Sequence, residues 1–379
     1  MKHIRSAAVL GAGTMGSQIA AHLANAGIPT LLLDLDTKTA TAGLNRARKL
    51  KPDPFFTKHT HHAISVGGFE SHLEEISESD WIVEAVIEQL DVKQELLRKI
   101  ERHRSEDSII SSNTSGIPIA NISEGFSDNF RKHWLGTHFF NPPRYLPLLE
   151  VIPTAETDPT VVQTMVEFGD RVLGKGVVVA KDTPNFIGNR IGLYGVMRVL
   201  EQLVTGSYTI EEIDAMTGPL LGRAKSATFR TLDIAGIDIL THVMENLVSQ
   251  LDTAEERAAF ELPTLVQDLN ARGWHGQKTG QGFYQKIRSN SGTEIVTLDP
   301  KTMEYRARQH PRLTALDNAK TIDDLGTRIR TLFTGKDRVG DFLRATLTPL
   351  LIYTAETAPT IAHSIDDIDR AMRWGFGWK

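Results

Sequence analysis

Residues 6–33 carry no Asp, Glu, Lys or Arg, and Gly11-x-Gly13-x-x-Gly16 stands inside that run. Few patterns narrow the choice of fold so far. Ala7-Ala8-Val9-Leu10 reads as a buried strand, the glycines as a turn entering a helix through about Ala26, and Thr30 to Leu33 as the next strand. Asp34 then closes the unit. Gly11 permits a tight turn, Gly13 lets backbone approach a pyrophosphate, and Gly16 allows close packing of helix on strand. The helix N-terminus stabilises phosphate charge. Asp34 can accept hydrogen bonds from both ribose hydroxyls and repels a 2′-phosphate, which favours NAD over NADP. A glycine-rich turn binding no nucleotide is the plainer alternative.

The same run is not a membrane span. It contains four glycines, a proline, Gln18, His22 and Asn25. It lacks the layout of a signal peptide, and Gly377-Trp378-Lys379 is not a peroxisomal address. A cytoplasmic location is the default expectation. With 379 residues there is material for two or three domains. The net charge of −5, without a basic stripe, excludes nucleic acid as the expected partner. The absence of cysteine excludes disulfides, thiolate metal sites and a cysteine nucleophile.

Further along, Trp81-Ile82-Val83 and Ser108 to Ser111 read as strands. Residues 91–104 read as an amphipathic helix with Val92, Leu96, Leu97 and Ile100 on one face. The alternation predicts an α/β fold with an open, mostly parallel Rossmann-type sheet. After Lys181 the character changes. Asp182 can cap a helix and Pro184 suits its first turn, so a helix is expected over Asn185 to Val204, apolar on most faces. Ile210 to Met216 and Thr231 to Leu251 also read as helices. Residues 287–335 look like a polar, irregular linker with short helices. Ile210-Glu211-Glu212-Ile213-Asp214 is echoed by Ile365-Asp366-Asp367-Ile368-Asp369, each after a long apolar helix, which suggests a duplicated helical module. The expected domains are 1–182, an NAD-binding Rossmann domain; 183–286, an all-helical C-terminal domain; and 336–379, a partial second helical repeat.

The chemistry is carried by His138, in Thr137-His138-Phe139-Phe140-Asn141-Pro142, and Glu150, in Leu148-Leu149-Glu150-Val151. Oxidising a secondary alcohol needs a base for the hydroxyl proton as hydride leaves. Histidine, with an unperturbed pKa of about 6.5, suits that task. A carboxylate stabilises the imidazolium and fixes its tautomer. On these residues alone, a histidine beside two phenylalanines is more often a satisfied core residue. Glu88 and Lys93 read either as solvated charges or as groups near a ligand. The loop 51–62, with His59, His61 and His62, invites a metal reading, but no second cluster supports it and a surface loop is expected.

These stretches together resemble the 3-hydroxyacyl-CoA dehydrogenase family. The resemblance rests on Gly-Ala-Gly-Thr-Met-Gly at 11–16, Glu84-Ala85 with Glu88 and Lys93, and Ser112-Asn113-Thr114-Ser115. It extends through His138 to Pro142, Leu149-Glu150-Val151, Lys181 to Pro184 with Asn189-Arg190, and Gly280-Gln281-Gly282-Phe283-Tyr284. It covers about residues 4–286. It implies that His138 is the general acid/base and that Glu150 pairs with it. Ser115 would bind the substrate's 3-oxygen, and Asn189 of the helical domain would position the substrate. It implies that Gly11, Gly13, Thr14, Met15, Gly16, Asp34, Glu88, Lys93, Asn113 and Asn141 serve the NAD site. Asn141 reads equally as a turn residue before Pro142-Pro143. For the CoA end, Arg46, Lys49 and Lys51 are candidates, though a solvated helix face explains them too. No metal is implied.

A single-function member would end near residue 286. Gly222 to Arg230 and Arg370 to Trp378 resemble the multifunctional fatty-acid oxidation enzymes, here without an enoyl-CoA hydratase segment. The implied activity is NAD-dependent oxidation of (S)-3-hydroxyacyl-CoA in β-oxidation. The implied partners are an acyl-CoA substrate and either a second copy or a hydratase or thiolase component. Residues 342–378 should expose apolar surface unless something covers them. Two other readings stand beside this one: a dehydrogenase of free hydroxy acids or sugar acids, and a non-catalytic NAD-binding protein.

Overall fold

A computed structural model describes residues 3–289 and 292–379. The chain divides into two compact units, Met1–Ile187 with Ala358–Gly375, and Gly188–Thr357 with Phe376–Lys379.

The first unit is built on β1 (Ala7–Leu10), α1 (Thr14–Asn25), β2 (Thr30–Asp34), α2 (Thr37–Ala47), β3 (Ile64–Gly68), β4 (Trp81–Glu84), α3 (Leu90–His103) and β5 (Ile109–Ser112). There follow α4 (Ile119–Ile122), α5 (Asp128–Lys132), β6 (Trp134–Phe139), β7 (Leu148–Pro153), α6 (Pro159–Arg171) and β8 (Gly176–Val179). The eight strands form one sheet in the order β3-β2-β1-β4-β5-β6-β7-β8. Every pair is parallel except β6 with β7, which runs antiparallel. Strands β1, β4, β5 and β6 are buried along their whole length, as expected of strands covered on both faces. Strand order reverses between β2-β1 and β4-β5, and a sheet of this kind offers its ligand crevice there.

The second unit contains α7 (Gly188–Val204), α8 (Ile210–Met216), α9 (Phe229–Ala235), α10 (Ile237–Gln250), α11 (Ala254–Ala259) and α12 (Thr264–Ala271). Next come β9 (Tyr284–Ser289), β10 (Gly292–Asp299), β11 (Glu304–Ala307), α13 (Thr314–Ala319) and α14 (Leu325–Thr334). The last helices are α15 (Arg338–Ile361) and α16 (Ile365–Gly375), and α16 belongs to the first unit. There Trp374 lies over Gly176, where a Cβ would strike its ring, and Lys181 N donates to Ile361 O. The residues matter because only glycine leaves room for the indole at the start of β8. No helix among the described residues is long and apolar enough to cross a membrane.

The mostly parallel Rossmann-type sheet and the helical C-terminal region agree with the sequence reading. Several details do not. Strands β9, β10 and β11 pair as a three-stranded antiparallel sheet in the order β11-β10-β9, so the stretch read as an irregular linker contains ordered strand. Its pattern is polar because both edges face solvent and only Val296, Thr297 and Leu298 of β10 are buried. The helix expected over 231–251 is two helices, broken at Gly236 with φ 108°. The helix expected from Asn185 begins at Gly188, because Asn185 and Phe186 adopt φ of 61° and 52°. Asp182 therefore caps another element. Its carboxylate accepts from Ile119 N at 2.7 Å and Ala120 N at 2.8 Å. By packing, the first unit runs on to Ile187 and takes in Ala358–Gly375. Over 342–378 Phe342, Leu343, Leu350, Ile368 and Met372 are buried, while Leu351, Ile352 and Ile365 are exposed.

Candidate functional site

The glycine turn lies between β1 and α1 and is shaped by close contacts. Gly11 has φ 102°, and a Cβ there would meet Ala85 O. A Cβ on Gly16 would run into Gly11 O. A Cβ on Gly13 would meet nothing. Thus Gly11 and Gly16 are glycine for the protein's own packing, whereas Gly13 faces open space. No side chain caps the N-terminus of α1. Its first backbone N–H groups are the kind that bind a pyrophosphate. Asp34, at the end of β2, accepts from Ala12 N at 2.6 Å and Leu35 N at 2.7 Å. Its carboxylate is thereby fixed beside the turn, with lone pairs left for ribose hydroxyls. Leu35 and Ile87, just beyond β2 and β4, are exposed apolar side chains that sequence reasoning did not single out. These residues fit NAD.

Glu88 and Lys93 are not solvated charges. Lys93 is 1 % exposed. Its Nζ lies 2.8 Å from Glu84 Oε1 and 3.2 Å from Glu88 Oε2. Glu84 is fully buried and also accepts from Ser112 Oγ at 2.5 Å and Val86 N at 2.6 Å. Glu88 Oε1 accepts from Thr114 Oγ1 at 2.6 Å and Ser115 N at 2.8 Å. Burial opposes the charge on Glu88, but Lys93 and these donors hold its pKa below the usual carboxylate value. Burial likewise opposes the charge on Lys93, and the two glutamates still raise its pKa. The cluster ties the ends of β4 and β5 to α3, and so fixes the backbone of Ser115. Buried Glu84 is the member that the sequence reading quoted without assigning it a role.

Asn113 Oδ1 accepts from Phe139 N at 2.9 Å, which holds the end of β5 against the end of β6. Asn141 Oδ1 accepts from Gln18 Nε2 at 3.0 Å, which ties the loop after β6 to α1. The structure thus brings Ser115, Asn113, Asn141 and the glycine turn to the carboxyl edge of one sheet. Arg46 Nη2 donates to Ala12 O at 3.2 Å, against the glycine turn. Lys49 is exposed just past α2. His59, His61 and His62 sit in and beside a short turn, and among the described residues no group of three His, Cys, Asp or Glu is placed to hold a metal.

His138 and Glu150 are directly opposed across the antiparallel β6–β7 pair. His138 Nδ1 lies 2.7 Å from Glu150 Oε2. Both are buried, His138 at 4 % and Glu150 at 0 % exposure. Glu150 Oε1 accepts from Ile187 N at 3.1 Å. Phe140 and Phe186 flank the imidazole, with centroids at 4.6 and 5.7 Å. The left-handed pair Asn185-Phe186 therefore does two things: it sets Phe186 against His138 and turns Ile187 N toward Glu150. No sequence signal marks it. With Nδ1 donating to a carboxylate, Nε2 is left as the basic nitrogen. Asn189 lies in the second unit, at the second residue of α7, and is half-buried.

Residues 6–183 match the model of the 3-hydroxyacyl-CoA dehydrogenase NAD-binding domain, and residues 186–286 match that of the family's C-terminal domain. A probable 3-hydroxyacyl-CoA dehydrogenase of Deinococcus radiodurans is 45 % identical over 314 residues, 80 % of this chain and 90 % of that protein. The chain belongs to the 3-hydroxyacyl-CoA dehydrogenase family. Residues 6–183 are accordingly the family's NAD-binding domain. A probable 3-hydroxyacyl-CoA dehydrogenase of Bacillus subtilis is 45 % identical over 399 residues, covering 100 % of this chain and 50 % of that protein. The chain thus spans about half the length of that relative. The solved structure of FadB2 from M. tuberculosis is 27 % identical, with TM-score 0.68 over 76 % of this chain and 100 % of that one. A 3-hydroxybutyryl-CoA dehydrogenase of Escherichia coli shares the fold, with TM-score 0.73 at 21 % identity over 100 % of this chain and 90 % of that one.

Proposed function

We propose that this dehydrogenase interconverts (S)-3-hydroxyacyl-CoA and 3-oxoacyl-CoA, within fatty-acid β-oxidation, with His138 as general acid/base. The observation that carries the proposal is the buried His138–Glu150 pair, 2.7 Å apart, at the carboxyl edge of an NAD-type sheet. Glu150 holds the Nδ1 proton and balances the imidazolium. His138 Nε2 takes the 3-hydroxyl proton on oxidation and returns it on reduction. Bound NAD supplies the hydride acceptor. Ser115 Oγ is assigned to the substrate's 3-oxygen, its backbone held by Glu88. Asn189 is assigned to positioning the substrate. Gly13, the α1 N-terminus and Asp34 are assigned to the cofactor. Phe140 and Phe186 keep water from the imidazole.

Substrate class is tested by NADH consumption with acetoacetyl-CoA, beside free acetoacetate and NADPH controls. Turnover of the CoA ester with NADH alone supports the proposal. Turnover of the free acid alone moves the assignment to a hydroxy-acid dehydrogenase.

A further inference from the structure

The second unit holds a cavity that the proposed reaction leaves unused. It has a volume of about 720 Å³ and lies between α8, the segment leading into α9, β9, β10 and the residues after β11. Five cations line it: Lys225, Arg230, Lys286, Arg288 and Arg308. The two carboxylates at its floor, Glu211 and Asp214, are already engaged. Glu211 forms a two-pronged pair with Arg306, at 2.8 and 2.9 Å. Asp214 accepts from Thr228 N, Phe229 N and Tyr284 OH. None of the five cations forms an ion pair among the described residues, although Arg230 donates to Gln277 Oε1 at 2.9 Å. The chain as a whole carries −5. Such a local excess of positive charge is therefore not a general property of the surface.

Size and lining limit the occupant. A bare phosphate leaves most of this volume empty, whereas a mononucleotide suits a pocket of several hundred Å³. Tyr284, Ile295 and Pro311 give apolar surface beside the cations. The Tyr284 ring has Arg308 5.7 Å from its centroid. Guanidinium groups favour phosphate because their paired N–H donors match its oxygens. We infer that this cavity binds a phosphorylated adenosine, its phosphates on Arg288, Arg308 and the lysines and its base against Tyr284. The chemistry is shared by two sources, the nucleotide end of a CoA ester and a free adenine nucleotide.

The inference does not rest on the proposed reaction, because binding is read without turnover. Adenosine 3′,5′-bisphosphate and ATP are titrated into the full chain by calorimetry at low salt. The same titration is made on the double variant Arg288→Glu/Arg308→Glu and on Lys225→Gln/Lys286→Gln, which keeps the arginines. The expected result is that both variants weaken binding of at least one nucleotide tenfold or more, and that NADH binding is unchanged. Equal affinity in wild type and both variants, or no binding by wild type at millimolar nucleotide, overturns the inference. KM values then separate the sources. A rise for acetoacetyl-CoA but not for acetoacetyl-pantetheine assigns the site to the substrate's nucleotide. Unchanged KM values for both, with nucleotide binding lost, assign it to a free nucleotide.

Discussion

Glu150 faces His138 across the β6–β7 pair, and its two oxygens serve two elements: Oε2 holds His138 Nδ1 at 2.7 Å, and Oε1 holds Ile187 N at 3.1 Å. One carboxylate thus sets both the imidazole and the chain segment that carries Phe186. Glu150→Gln keeps the shape and removes the charge. Its amide can donate to Nδ1, which favours the wrong tautomer. We expect kcat to fall by about 10²-fold or more, on the scale of losing general-base function, with NADH affinity retained. Steady-state kinetics with NADH fluorescence titration checks this, and an unchanged kcat removes Glu150 from the mechanism.

Gly13 and Gly16 separate binding from folding. A Cβ at Gly13 meets no protein atom, whereas one at Gly16 runs into Gly11 O. Gly13→Ala should keep its melting temperature and lose NADH affinity. Gly16→Ala should lose melting temperature as well. Paired thermal melts and cofactor titrations decide it. A Gly13→Ala protein that binds NADH normally contradicts the placement of the pyrophosphate.

Lys93 forms ion pairs with two glutamates, buried Glu84 and partly buried Glu88. Lys93→Met leaves both uncompensated, and removing one partner of a buried pair costs about 3–5 kcal/mol. Urea unfolding at neutral pH should show a loss of that order, partly recovered by adding Glu84→Gln. The pH dependence has a definite sign. The Lys93 pKa is raised, so its contribution is full below the ordinary lysine value and lost only as pH rises through the folded one. The Glu88 pKa is lowered, so its contribution is lost as pH falls below the ordinary glutamate value.

His22 is buried with Nε2 3.1 Å from Leu173 O and Nδ1 without a partner. Burial first, then the charges of Lys175 and Arg144, against the opposing effect of the Leu173 carbonyl, lowers its pKa to about 4. The unfolded chain therefore binds the extra proton between about 6.5 and about 4, and stability falls as pH falls through that window. In His22→Gln that part of the slope should vanish. The difference in unfolding free energy between the two proteins, measured from pH 7 to pH 4, isolates it. Parallel pH profiles mean that the imidazole is not held neutral.

The βαβ unit was legible because its signal is local: charge-free strands, turn glycines and an acid at fixed spacing. The identities of His138 and Glu150 were legible through their motifs, and their pairing depends on a strand register that sequence does not print. The Asn185-Phe186 break was not legible. Two left-handed residues without glycine are stabilised by tertiary contacts, and Asp182-Thr183-Pro184 carries every local sign of a helix start. The β9–β11 sheet escaped for a related reason: a small sheet largely open to solvent shows too little apolar alternation to stand out.

The account rests on His138 acting as the base, and the most direct test compares wild type with His138→Gln. NADH oxidation with acetoacetyl-CoA is followed in both proteins, with NADH affinity measured in each. The predicted result is a kcat lower by about 10²–10⁴ in the variant with cofactor affinity unchanged. Equal rates in the two proteins would contradict the account.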